Sequence, residues 1–270
     1  MSKKILVQIG LDDLCNRPDN SVDTVAYGLR LLTKIGLCVD VFVPFSLSRT
    51  PEEYNWYDII DPKDKSNLAF KVLMPIITTG FHDSVFFHCH GYYHCAGHTS
   101  VNDEFLHLPT QELIDRISKI HHSSANFILR KRAFRPPGWK IRPEIIDTLS
   151  RFDVQCLSLN RTYAEKGMYD PWLKDCPIPL HFSSYSPPDV EYDYNKIKEE
   201  GRLDVTFHAA TWLRNHLTED NALRLISILE RLASEGYEII SDPLIDEAPN
   251  GQNGLPYFSQ ISASMQKSGN

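Results

Sequence analysis

The window FFHCHGYYHCAGH (86–98) sets His88, His90, His94 and His98 beside Cys89 and Cys95, in a chain that has 11 histidines in all. The gathering suggests a metal site. His90 and His94, four apart, fall on the same side of one helical turn, so both imidazoles can reach a single cation. Two histidines and one carboxylate make three protein ligands and leave a fourth position for water, the catalytic form of a zinc site rather than the closed structural form. Asp13 can supply the carboxylate. Its neighbour Asp12 completes a pair of adjacent carboxylates, which repel each other unless a cation lies beside them. One aspartate can then bind the ion while the other acts as general base toward water. The plainer alternatives are histidines satisfied by partners near a core edge, and an ordinary Asp-Asp turn.

His88 and His90 also form an HxH pair on one face of a strand, the way urease-like amidohydrolases hold metal. Those enzymes place the pair on strand one. Here it falls on the third strand and strand one carries Asp12-Asp13, so His88 is expected as a packed histidine. Cys89 faces away from His90, and Cys95 lies beyond the turn. Neither has a Cys-x-x-Cys partner, which argues against a structural zinc knuckle. His98 is expected in a loop.

The elements that must position these residues alternate in type. ILVQIGL (5–11), CVDVFVPF (38–45), SVFFHCH (84–90), VQCLSL (154–159), IPLHF (178–182), LDVTFH (203–208) and YEIIS (237–241) have strand composition, and AFRPPGW (133–139) begins with a short apolar stretch. Val22, Val25, Leu29 and Leu32 recur at helical spacing before Gly36, and 110–120 and 142–152 are helical, the second with Pro143 in its first turn. The clearest helix is 218–235. Ala222, Leu225, Ile226, Leu229, Leu232 and Ala233 form its stripe, Thr218 its cap and Gly236 its end. Seven or eight strands separated by helices imply a parallel sheet and, at this length, an irregular (β/α) barrel. One domain is expected over 1–245, with 246–270 as a polar tail packed on the surface or partly disordered. In such a barrel chemistry sits where strands end. Asp12-Asp13, His90, Arg135 and His208 all follow or end strands, so they should meet on one rim.

The 270 residues carry a formal charge of −7, which gives no support for nucleic acid as the partner, and 42% hydrophobic content is ample for a core. No window approaches a membrane span or a secretory signal, so a cytoplasmic location is expected. Six cysteines follow no disulfide-framework spacing and are read as reduced.

GLDDLC (10–15), HGYYH (90–94) with NDEF (102–105), FRPPGW (134–139) and TFH (206–208) resemble, in order and approximate spacing, the polysaccharide deacetylases, the NodB-like carbohydrate esterases and their DUF2334-type relatives. The resemblance runs from residue 4 to about 210. It implies a distorted (β/α) barrel in which Asp13, His90 and His94 hold Zn2+ or another divalent metal. It further implies Asp12 as catalytic base, Arg135 as the arginine that pairs with it, the Gly138 N–H as donor to the oxyanion, and His208 as the acid toward the leaving amine. Two elements depart from the family. The Asp-x-x-Asp-Trp element that tunes the acid histidine has no match near FDVQCLSLN (152–160), so the sequence assigns His208 no partner. The leucine of the acetyl-methyl pocket is replaced by Thr206.

The expected activity is therefore metal-dependent removal of an N-acetyl or related acyl group from an amino sugar, on a surface-polysaccharide precursor made inside the cell. Trp139, with Tyr92 and Trp212, could form platforms for sugar rings, and Tyr93 is a weaker candidate. Glu104 is expected to orient a neighbour by hydrogen bonding. The alternatives are an amidohydrolase barrel using His88 and His90, and a non-catalytic carbohydrate-binding barrel.

Overall fold

Alternation along the strands decides what faces where. The computed structural model describes residues 3–14, 22–44, 84–91, 104–122, 133–152, 154–183, 194–210, 213–245, 255 and 257–260. In β1 (Lys3–Asp12), Ile5, Val7, Ile9 and Leu11 join the main apolar core. The intervening Gln8, Gly10 and Asp12 point to the opposite face, as the two-residue period of a strand requires.

Helix α1 (Val22–Lys34) leads to β2 (Val39–Val43) and then to β3 (Val85–Cys89). Next come α2 (Glu104–His107), α3 (Thr110–His122), β4 (Ala133–Phe134), α4 (Ile146–Arg151) and β5 (Cys156–Asn160). The chain continues through α5 (Arg161–Glu165), α6 (Asp170–Leu173), β6 (Leu180–Ser183), α7 (Tyr194–Glu200), β7 (Arg202–His208), α8 (Glu219–Ser234) and β8 (Tyr237–Ser241). The strands form one eight-stranded sheet in the order β6-β5-β4-β3-β2-β1-β7, with β8 also on β1, and every ladder is parallel. This is the expected parallel α/β barrel, curled and irregular.

The irregularity has two sources. β7 pairs with β1 over Leu6–Asp12, β8 pairs with Lys3–Val7, and β2 pairs with Gly10–Asp12. β8 and β2 must therefore share one edge of β1, with β8 at the bottom and β2 at the top. Three bonds hold this wedge: Cys38 N–H to Ser241 Oγ (2.8 Å), Asp242 N–H to Val7 O (2.8 Å) and Leu244 N–H to Asp40 Oδ2 (3.1 Å). At the other seam, between β6 and β7, side chains stand where a ladder would close a regular barrel. Arg202 contacts His181 Nε2, and Arg161 Nη2 donates to Asp204 Oδ2 at 2.6 Å.

α8 forms as its sequence dictates. Thr218 Oγ1 accepts from Asn221 N–H at 3.1 Å, and the six expected stripe residues are buried. Each large apolar side chain so buried contributes about 1.5–3 kcal/mol. The described residues of the region read as a tail are packed against the body of the domain. Leu255 and Phe258 are buried in the main core, and Leu255 N–H donates to Ile239 O at 2.9 Å. Two apolar residues three apart, among polar neighbours, suffice to dock one turn. Among the described residues no helix is long and apolar enough to cross a membrane. Cys38, Cys89, Cys156 and Cys176 are present as thiols.

Candidate active site

The inside of the barrel is polar. Gln8, Asp12, Asp40, His88, His90, Arg135, Ser158, Ser183, Thr206 and His208 are all buried there, where such barrels usually carry bulky branched side chains. Buried polar groups are costly unless they bond one another, and most of these do.

Arg135 is the hub. Its guanidinium is fully buried and donates to Asp12 Oδ1 (2.5 Å), Ser158 Oγ (3.1 Å) and Ser183 Oγ (3.1 Å). It lies between two aromatic faces, Phe42 at 3.8 Å and Trp139 at 4.3 Å from the ring centroids. Gly10 leaves the space: a Cβ there would stand 2.7 Å from Arg135 Nη1. Burial pulls the arginine pKa down and the Asp12 carboxylate opposes it. Asp12 Oδ2 has no hydrogen-bond partner among the described residues.

β1 ends at Asp12, and Asp13 turns the chain with φ 61°. Aspartate tolerates this left-handed conformation better than most residues, and the turn still costs on the order of 1 kcal/mol. On a continuing strand Asp12 and Asp13 would point to opposite faces. The turn instead brings Asp13 Oδ1 to 3.4 Å from His90 Nε2. His90 Nδ1 donates to Arg135 O at 2.7 Å, which leaves Nε2 as the atom facing Asp13.

These residues fit a divalent ion. Two ligands of one tetrahedral zinc, at bond lengths near 2.1 Å, stand about 3.4 Å apart, which matches the His90–Asp13 separation. The charges agree as well. Asp12 and Asp13 are buried carboxylates beside one buried guanidinium, an excess of negative charge that a cation would offset. Among the described residues no three His, Cys, Asp or Glu side chains converge on one point. The third expected ligand, His94, lies outside the described residues, as do Tyr92, Tyr93, Cys95, His98 and Trp212.

His208 ends β7 directly across from Asp12 in the ladder, and Ala209 N–H donates to Asp12 O at 2.9 Å. Its Nδ1 lies 2.7 Å from Asn215 Nδ2. Burial lowers the His208 pKa, while Asp12 and Asp13 raise it. Asn215, from the turn before α8, is thus the partner that the sequence did not assign.

The 3-10 turn Pro137–Trp139 carries Gly138 at φ 58° and Trp139 at φ 62°. Trp139, expected to line the cleft, is 6% exposed and packs on Arg135, and its backbone oxygen accepts from Tyr169 Oη at 2.7 Å. His88 Nε2 lies 2.7 Å from Asp40 Oδ1, and Gln8 Nε2 donates to Asp40 Oδ2 at 3.0 Å. His88 is the packed histidine expected of it, and Asp40 is its unforeseen partner. Glu104 is fully buried and paired with Arg116 at 2.8 Å. Its Oε2 would stand 2.5 Å from a Cβ at Gly91, whose φ is +85°. Burial pushes the Cys89 thiol up to about 12, so it carries no thiolate at neutral pH.

No family model and no curated protein matches the sequence. Among solved structures, the 4-alpha-glucanotransferase from Thermococcus litoralis aligns with a TM-score of 0.52 at 13% identity, over 88% of this chain and 39% of that one. The chain thus spans well under half of that protein's length. The tryptophan synthase alpha-subunit from Pyrococcus furiosus aligns at a TM-score of 0.41 and 14% identity, over 85% of this chain and 99% of that one. At such identity the glucanotransferase shows a shared barrel fold and nothing about chemistry.

Proposed function

We propose that this protein is a metal-dependent hydrolase that removes an N-acetyl, or closely related acyl, group from an amino sugar. The observation that carries the reading is the approach of Asp13 to His90 beside an Asp12 already paired with Arg135. The motifs that resemble the polysaccharide deacetylases supply the substrate class.

A divalent cation held by Asp13, His90 and His94 would polarise the amide carbonyl and acidify a water. The protein's own groups do the rest. Arg135 occupies Asp12 Oδ1, which leaves Oδ2 to take the proton of the attacking water. The backbone N–H of Gly138 donates to the oxygen that gains charge as the carbonyl carbon becomes tetrahedral. His208 hydrogen-bonds the departing nitrogen, which takes up the proton that Asp12 removed.

His88 supports this reading over the HxH alternative, because the nitrogen that HxH chemistry would need is committed to Asp40. The test is a metal analysis of the purified full chain together with release of acetate from N-acetylated amino sugars. We expect one divalent ion per chain, lost in Asp13→Ala and His90→Ala. Asp12→Asn should keep the ion and lose at least a hundredfold in turnover. An ion-loaded protein that releases no acyl group from any such sugar would overturn the proposal.

A further inference from the structure

The bond between Asn215 and His208 has a fixed polarity. Asn215 Nδ2 lies 2.9 Å from Thr206 O and 2.7 Å from His208 Nδ1. A carbonyl oxygen can only accept, so the atom facing Thr206 must be the amide nitrogen and not the amide oxygen. An NH2 group has two hydrogens and no acceptor capacity. One hydrogen goes to Thr206 O, and the other points at His208 Nδ1, which must then accept.

The backbone holds both residues in this relation. His208 N–H donates to Asn215 O at 2.9 Å, and Leu217 N–H donates to His208 O at 3.0 Å. Asn215 is 1% exposed, so no solvent exchange relaxes the arrangement. Turning the amide over would present its oxygen to His208, but also to Thr206 O, where two acceptors would meet in a buried site.

We infer that Asn215 is a positioning residue that fixes the His208 tautomer, with Nδ1 as acceptor and the proton on Nε2, so that His208 meets its substrate as a hydrogen-bond donor through Nε2. An aspartate at 215 would do the reverse, since a carboxylate accepts and would draw a proton to Nδ1. This inference rests on the hydrolase reading and deepens it: a neutral His208 donates a hydrogen bond through Nε2 to the leaving nitrogen, and the proton that nitrogen takes up is the one Asp12 removes from the attacking water. Asn215 is then the residue that keeps the N–H on the ring atom facing the substrate.

The test is nitrogen-15 NMR of the full chain, labelled at histidine, at neutral pH. The His208 signals are assigned by their loss in His208→Gln. We expect the wild-type Nδ1 to show the shift of an unprotonated ring nitrogen and Nε2 that of a protonated one. Asn215→Asp should move a proton onto Nδ1. A wild-type Nδ1 that carries the proton would overturn the inference, whether or not any variant folds; so would Asn215→Asp leaving the pattern unchanged. Neither spectrum depends on turnover or on metal content, so the tautomer can fail while the hydrolase proposal stands, and the reverse.

Discussion

Arg135 Nη1 and Asp12 Oδ1 meet at 2.5 Å from points 123 residues apart in the chain, and both side chains are buried. The pair joins β1 to the end of β4 across the barrel interior, and Ser158 and Ser183 extend it to β5 and β6. Removing the guanidinium leaves the Asp12 charge uncompensated in a buried site. Arg135→Met should therefore destabilise the fold by about 3–5 kcal/mol, the usual cost of breaking a buried ion pair from one side. Urea unfolding of the two proteins measures this, and a change below 1 kcal/mol would show that Asp12 finds another partner.

Gly10 is needed for space rather than for backbone freedom. A Cβ at this position would lie 2.7 Å from Arg135 Nη1 and 3.1 Å from Nη2. The guanidinium is held by three oxygens and two rings, so it cannot swing aside cheaply. Gly10→Ala should cost about 1–3 kcal/mol through overpacking, although alanine would ordinarily stabilise a strand relative to glycine. The same substitution should also reduce turnover, because it pushes Arg135 away from Asp12. An unchanged unfolding midpoint in Gly10→Ala would mean that the guanidinium is looser than its contacts indicate.

Asp40 and His88 form a second buried pair beneath the first, separate from the proposed ion. Asp40 takes bonds from Gln8, from His88 and from the Leu244 N–H, so it ties β1, β2 and β3 to the segment after β8. Asp40→Ala should cost about 3–5 kcal/mol, and His88→Ala should also destabilise. Both variants should keep the metal content of the wild type, provided they fold. Loss of the ion in a folded His88→Ala protein would favour the HxH arrangement instead.

What could be read from the sequence, and what could not, follows from how local each feature is. The stripe of α8, its Thr218 cap and the strand that ends in His208 are statements about near neighbours, and the structure shows them where periodicity places them. The pair of Asp12 with Arg135 was reached through motif resemblance, because no local pattern links residues so far apart. Asp40 left one trace, a charged residue inside the apolar run CVDVFV, but its partner could be found only by setting β2 beside β3. Asn215 sits in a turn seven residues after His208 and looks like any loop asparagine. The position of β8, wedged at the base of β1 instead of closing the barrel, depends on registers that a single chain of letters does not show.

At the seam between β6 and β7, His181 gives a dependence on pH. Burial, reinforced by Arg202, lowers its pKa from 6.5 to about 3. Arg202 donates to its Nε2, so the folded protein holds that nitrogen as an acceptor. The sign follows from proton counting. Below pH 6.5 the unfolded chain takes up a proton that the folded chain refuses until about pH 3, so stability falls as the pH drops through that window. The slope approaches about 1.4 kcal/mol per pH unit for a single such group. His181→Gln keeps an acceptor for Arg202 and removes the titration. Between pH 7 and pH 5 its urea midpoint should therefore decline less than that of the wild type, a range chosen because carboxylates contribute little there. Parallel declines in the two proteins would show that His181 takes up its proton in the folded state as readily as in the unfolded one.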